Sequence, residues 1–293
     1  MSKKQGLGIG ISIVIIIISQ LLPACGTLSS AGVKTIGMLV AFLIMLVTEA
    51  LPVVVTSLLF CGLMPLLGVT KNLGEALTGY SQPIVFFTLA SFGIAAAITS
   101  IPLAKRILRA LMRKFGKNIA TVLLAVMVCT ALVSSMVSNV PTCAIFMAIA
   151  LSFVEMYKNE EEKRKTARAF MIAVPIASMI GGMMTPAGSS INLLAIAQLE
   201  KLTGETITFV QWMSAGIPLA IVMIPLAWFL ILKIYKPVSV SHKEIIEFVN
   251  QLEVPDKMEK PEIKVVWLII IMLVLWILSS WVKAINVMVV AII

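Results

Sequence analysis

The sequence predicts an all-α polytopic membrane protein, and three observations carry that prediction. Hydrophobic residues make up 60% of the 293. Asp, Glu, Lys and Arg together are 13%, about half the roughly 25% typical of a soluble chain. Several apolar runs reach the ~18 residues that mark a membrane span, and the mean hydropathy is +1.06. Too little polar surface is left for a soluble enzyme or a nucleic-acid binder of this size. The net charge of +9 therefore has to be explained first as membrane topology.

The apolar segments fall at 7–24, 35–48, 51–69, 83–101, 119–157, 169–199, 210–234 and 264–282, with a further apolar start at 285–293. The first follows Lys3 and Lys4 and reads as an uncleaved span. Leu22-Pro23-Ala24-Cys25 faintly resembles a lipoprotein cleavage site, but Pro23 lies beside the cut and further spans follow. The second segment is short, and Pro52 separates it from the third. The four cysteines, Cys25, Cys61, Cys129 and Cys143, lie in or beside apolar runs without metal-type spacing and read as small hydrophobes.

Basic residues set the orientation. With the N-terminus in the cytoplasm and 119–157 entering and leaving on one side, 19 of the 23 Lys and Arg are cytoplasmic. Only Lys34, Lys71, Lys201 and Lys283 remain outside. Such a bias is the signature of cytoplasmic loops. Residues 102–115 mix apolar and basic side chains at helical spacing and predict an interfacial helix with its cations toward lipid phosphates. A second polar helix near 242–252, followed by Pro255 and Pro261, reads as a linker between membrane modules.

Two places interrupt the hydrophobic pattern. The first is 134–142, Ser-Ser-Met-Val-Ser-Asn-Val-Pro-Thr. The arms on either side, 119–133 and 143–157, have 15 residues each. Each would rise roughly 22 Å, short of the ~30 Å hydrocarbon core. Two such arms joined by a polar turn predict a re-entrant hairpin. Its exposed backbone would be tolerated only against protein or a watery cavity. The second is 180–192, where three glycines and Pro186 stand among small hydroxyl residues. The 31 residues of 169–199 exceed one straight crossing by about ten, which predicts a discontinuous helix with two half-helix ends at membrane depth.

One polar kink is more often packing than a site; two neutral, hydroxyl-rich breaks together suggest a midplane site. Neither break contains Asp, Glu, Lys or Arg. Hydroxyl, amide and carbonyl oxygens suit a hard monovalent cation, while half-helix N-termini suit an anion. The physics favours a cation-coupled anion carrier without choosing the anion.

These residues resemble the divalent anion/sodium symporter family, which carries dicarboxylates, citrate or sulfate. Ser138-Asn139-Val140 is similar to that family's Ser-Asn-Thr signature, with Ser134 one turn earlier. Gly181-Gly182-x-x-Thr185-x-x-Gly188-x-x-x-Asn192 is similar to its broken fifth helix. Thr48-Glu49-Ala50-Leu51-Pro52, with a span ending at Pro65-Leu66-Leu67-Gly68-Val69, matches its second-to-third helix junction. The resemblance runs through nearly the whole chain in order.

The resemblance implies a sodium site at Ser134, Ser138, Asn139 and Gly188. It implies substrate contacts from Ser138, Asn139, Val140 and Ser189, with Na+ as the coupling ion for a small anionic solute. It implies an elevator motion of hairpin and broken helix against a scaffold, and a homodimer where a second repeat is present. Residues 1–117 would hold scaffold-type spans and the interfacial helix, and 118–236 the hairpin, broken helix and following span. Residues 237–263 would form a cytoplasmic linker, and 264–293 the start of a second, inverted repeat. The chain then corresponds to the N-terminal half of a plasma-membrane transporter, truncated, fragmentary or one of a split pair.

Val140 departs from the signature Thr and removes a hydroxyl from the tip, a loss that shifts preference by about 1–3 kcal/mol at a polar site. A sodium-independent anion exchanger of the same family is the alternative. The absence of Lys, Arg and His from both breaks favours sodium, because a fixed cation could otherwise replace the ion. An enzyme is not expected: the sole His242 lies in the linker, and no base accompanies Ser138 or Ser189. Glu49 is an acid near a span end, and its place at the Pro52 junction fits a helix end better than a proton relay.

Overall fold

A computed structural model of the protein describes residues 2–23, 28–252, 254–282 and 284–293. These form fourteen α-helices and two short 3-10 turns, the all-α architecture expected, in two compact units, residues 1–82 and 83–293. Ala24 and Cys25 of the possible cleavage site, and Lys283 of the charge count, lie outside the described residues.

The first unit comprises α1 (Lys3–Leu21), α2 (Ser30–Val47), α3 (Val53–Leu66), α4 (Leu73–Leu77) and a 3-10 turn, Thr78–Ser81. The second apolar segment is longer than the sequence pattern suggested. Ser29 caps α2 by accepting from the Gly32 N–H at 3.1 Å, so the helix starts five residues before the apolar run and reaches 18 residues, enough to cross. Helices α1 and α2 run antiparallel. The Thr48 side chain sits over Gly8, Ser12 Oγ donates to the Ala41 carbonyl at 3.0 Å, and Ser19 sits over Gly37.

The second unit contains α5 (Pro83–Thr99), α6 (Leu103–Phe115), α7 (Ile119–Val137), α8 (Asn139–Val154) and α9 (Glu160–Gly182). A 3-10 turn (Pro186–Gly188), α10 (Ser190–Thr203), α11 (Phe209–Tyr235), α12 (His242–Gln251), α13 (Lys260–Leu278) and α14 (Val287–Ile292) follow. At its centre α7 is buried on most of its surface, and α8 and α9 pack against it. Ala169, Ala173 and Ala177, spaced four apart, give α9 a face of small buried side chains, so the helices approach closely. Phe153 closes the base of this core against Phe170 and Phe248.

Helices α7 and α8 form a hairpin. The segment just before α7 meets α12 where His242 Nδ1 lies 3.2 Å from the Gly116 carbonyl. The end of α8 meets the same short helix through Phe153 and Phe248. Chain entry and exit are therefore at one end, with the turn at the other. The arms are longer than expected: α7 has 19 residues and α8 has 16. Ser134 and Ser135 do not end α7, because Ser135 returns its hydroxyl to the Leu132 carbonyl at 2.7 Å and the helix runs on to Val137. The turn shrinks to one residue, Ser138.

Among the described residues five helices, α1, α2, α7, α11 and α13, are each long and apolar enough to cross a bilayer. Large apolar side chains such as Ile13, Ile221 and Leu268 are exposed on their flanks, as lipid-facing surfaces require. The protein is a multi-pass membrane protein.

Helix α6 occurs where the interfacial helix was expected, but its cations divide. Arg106 makes a bidentate pair with Glu262 (Nε to Oε1 2.6 Å, Nη2 to Oε2 2.8 Å), and Arg109 Nη1 donates to the Val254 carbonyl at 2.9 Å. Glu262 is 1% exposed, so its charge needs that partner. Arg113 and Lys114 remain exposed. Two of the helix's arginines thus hold residues 254–262 instead of facing lipid. Ile245, Phe248 and Val249 of α12 are buried in the same core, so residues 237–263 pack as part of this unit.

Candidate functional site

Both expected interruptions are present, and they differ in construction. At the hairpin tip, Ser138 has φ 98° and ψ 153°, a region that is essentially confined to glycine and costs a side-chain-bearing residue on the order of 1–3 kcal/mol. Ser138 is the cap position of α8, yet no side chain caps that helix. The first-turn N–H groups of α8 therefore carry the partial positive charge of a helix N-terminus without a side-chain acceptor. Pro141 adds no donor. One turn along, the buried Thr142 hydroxyl has no hydrogen-bond partner among the described residues.

The second interruption runs from Met183 to Ser189, between α9 and α10. Side chains take up its freed carbonyls. Asn192 Nδ2 donates to the Gly182 and Thr185 carbonyls at 2.7 and 2.9 Å, and Trp212 Nε1 from α11 donates to that of Met183 at 2.9 Å. Thr185 Oγ1 donates to the Ser135 carbonyl at 2.6 Å and accepts from the Gly188 N–H at 2.9 Å. Thr185 thus fastens the unwound segment to the last turn of α7.

Glycines bring the two interruptions together. A Cβ on Gly181 would lie 2.2 Å from the Ala131 carbonyl oxygen, and one on Gly182 would lie 1.9 Å from Asn139 Oδ1. Only a hydrogen fits at either position. Gly188 packs in turn on the Gly182 backbone.

The buried polar cluster at this junction is built from three residues. Ser134 Oγ lies 2.9 Å from Asn139 Oδ1, 2.8 Å from the Ser178 carbonyl and 3.2 Å from Ser178 Oγ. Ser178 Oγ donates to the Asn139 carbonyl at 2.8 Å. The cluster offers oxygens without a formal charge, a donor set that suits a monovalent cation better than a divalent one. No group of three His, Cys, Asp or Glu that could hold a metal gathers among the described residues.

Of the sequence-derived site residues, Ser134 and Asn139 are in direct contact, and Gly188 joins them through Gly182. Ser138 supplies the turn. Val140 is 76% exposed in the first turn of α8. Ser189 is half-buried and accepts from the Ile191 N–H at 3.4 Å; among the described residues it makes no hydrogen bond to the hairpin. Sequence reasoning missed Ser178, which lies near the end of α9 just before the second break, and the donor role of Trp212. Asn192 was visible in the motif, but its part in closing the break was not.

Fold and site together define a helical membrane protein whose backbone opens at two adjoining, uncharged places, a construction suited to carrying a polar solute. The family model of the sodium:sulfate symporter transmembrane region matches residues 3–293, and the chain belongs to that family. That family, like the curated relatives, is one of transporters and not of enzymes. Among curated relatives it is similar to the sodium-dependent dicarboxylate transporter SdcS of Staphylococcus saprophyticus, 29% identical over 232 residues, or 76% of this chain and 44% of that one. The protein of the same description from Staphylococcus aureus strain NCTC 8325 is 30% identical over 189 residues, 62% of this chain and 36% of that one. The chain spans less than half the length of these relatives.

Proposed function

We propose that the protein serves sodium-coupled transport of a small divalent anion, a di- or tricarboxylate or sulfate, across the plasma membrane. Both relatives are described as sodium-dependent dicarboxylate transporters, which favours a dicarboxylate within that class. The observation that carries the reading is the contact of the two interruptions at Gly182 and Asn139. It sets an uncharged oxygen cluster beside an uncapped helix start. The oxygens of Ser134, Ser138, Asn139 and Gly188 would hold Na+. The N–H groups at the start of α8, with Ser138, Asn139 and Ser189, would meet the anion, where the helix dipole favours negative charge. Val140 leaves that contact without a hydroxyl.

In this reading the hairpin enters and leaves the membrane from the cytoplasm, where the N-terminus also lies. Hairpin and broken helix move as one body against a dimeric scaffold, and sodium drives the anion inward.

The test is tracer uptake into proteoliposomes with succinate, citrate and sulfate compared, and external sodium replaced by choline. Accumulation that collapses in choline is expected. Uptake that is unchanged in choline, or bond cleavage without solute movement, overturns the reading.

A further inference from the structure

We propose that Ser178 is a positioning residue of the sodium cluster, holding Ser134 and Asn139 so that their side-chain oxygens face a common point. The inference rests on the sodium-coupled reading above and adds a residue from α9 to it.

A serine inside a helix ordinarily returns its hydroxyl to a carbonyl of its own helix. Ser135 does so with Leu132 at 2.7 Å, and Thr130 does so with Val126 at 2.7 Å. Ser178 does not. Its hydroxyl crosses to the Asn139 carbonyl at 2.8 Å, and its own carbonyl lies 2.8 Å from Ser134 Oγ. One residue of α9 therefore grips both sides of the hairpin tip, and it is 1% exposed.

Oxygens outnumber hydroxyl protons at this junction. Ser134 has one hydroxyl proton, and both the Ser178 carbonyl and Asn139 Oδ1 lie within hydrogen-bonding distance of it. The Ser178 proton is committed to the Asn139 carbonyl. Whichever acceptor Ser134 serves, the other turns a lone pair toward an oxygen, an arrangement that is costly when buried. A monovalent cation among these oxygens removes the conflict. Deleting the Ser178 hydroxyl removes the hydrogen bond by which α9 holds the Asn139 main-chain carbonyl, and so loosens the set.

The experiment follows thermal unfolding of the purified protein in detergent as choline is replaced by sodium. Four samples are compared: wild type, Ser178→Ala, Ser178→Cys, and Ser135→Ala as a control for loss of a buried hydroxyl bonded only within its own helix. Wild type is expected to gain stability with sodium. In both Ser178 variants the sodium midpoint should rise about tenfold, the loss of one hydrogen bond that supports a charged ligand, while Ser135→Ala keeps the wild-type midpoint. A structural role alone would lower the unfolding temperature in choline without moving the midpoint. Ser178 variants with the wild-type midpoint, or an equal rise in Ser135→Ala, overturn the inference and leave the sodium reading standing. A wild-type protein indifferent to sodium removes both. Ser178→Cys preserves the side-chain volume and carries the comparison if Ser178→Ala does not fold.

Discussion

The two interruptions reach the same point in the fold by opposite means. The one at Ser138 is a single residue in a glycine-type conformation, with no side chain capping the helix that follows. The one between Gly182 and Ser190 is seven residues long, and its freed carbonyls are taken up by Asn192 and Trp212 through hydrogen bonds of 2.7 to 2.9 Å, while Thr185 donates to the Ser135 carbonyl of α7 at 2.6 Å. The first leaves donors unclaimed; the second spends its side chains on its own backbone. The difference assigns them different work. The long break is a frame tied by side chains, and in the proposed function the short one presents free groups to a ligand.

The largest expected effect comes from forcing the two apart. Gly181→Ala places a methyl 2.2 Å from the Ala131 carbonyl, which backbone cannot yield to locally. A loss of about 3 kcal/mol, the upper range for overpacking, should appear in chemical denaturation of the purified protein. Should Gly181→Ala be neutral, the close approach of α7 and α9 is wrong.

Next comes the frame. Asn192→Ala strands the Gly182 and Thr185 carbonyls without their side-chain donor, a loss on the order of 2 kcal/mol for the pair. Amide hydrogen exchange should rise across 183–192 while 130–145 stays protected. Equal loosening of both regions would mean that the frame is not a separate part.

Ser138→Gly should act the other way. Glycine adopts this conformation freely, so the variant should be about 1 kcal/mol more stable than wild type. A destabilised Ser138→Gly would show that the serine side chain supports the fold after all.

The smallest effect tests the hairpin's base. Tyr157 Oη donates to the Val238 carbonyl at 2.8 Å, and burial pushes its pKa up to about 12. The folded state therefore favours the neutral phenol. That contribution is complete below pH 10 and is lost as pH climbs from 10 toward 12. Tyrosinate absorbance should show one late-titrating tyrosine that disappears in Tyr157→Phe, with the tip unaffected.

How much of this was legible in the sequence follows from the range of the interactions. The breaks were, because Ser-Asn-Val-Pro and Gly-Gly…Thr-Pro…Gly announce local failures of the helical ladder. The turn between α7 and α8 was too, since a polar, proline-containing stretch separates two apolar arms. The length of those arms was not. Whether Ser134 and Ser135 end a helix or bond back into it depends on neighbours that a one-dimensional pattern does not contain. Ser178 was invisible for the same reason: its partners are 39 and 44 residues away, and it falls just before the stretch that the pattern marks as broken. Arg106 and Glu262, 156 positions apart, read separately as surface charges and become a pair only when α6 and α13 meet.

That pairing also means that covalent continuity between α12 and α13 is not what keeps them together. α12 is seated against the hairpin's base through Phe248, and the head of α13 is tethered to α6 through Glu262. A protease nick near Asp256, whose side chain is exposed, should leave two fragments that still travel as one particle on a sizing column, held by the arginine clasp and by Trp276 packed on Phe209.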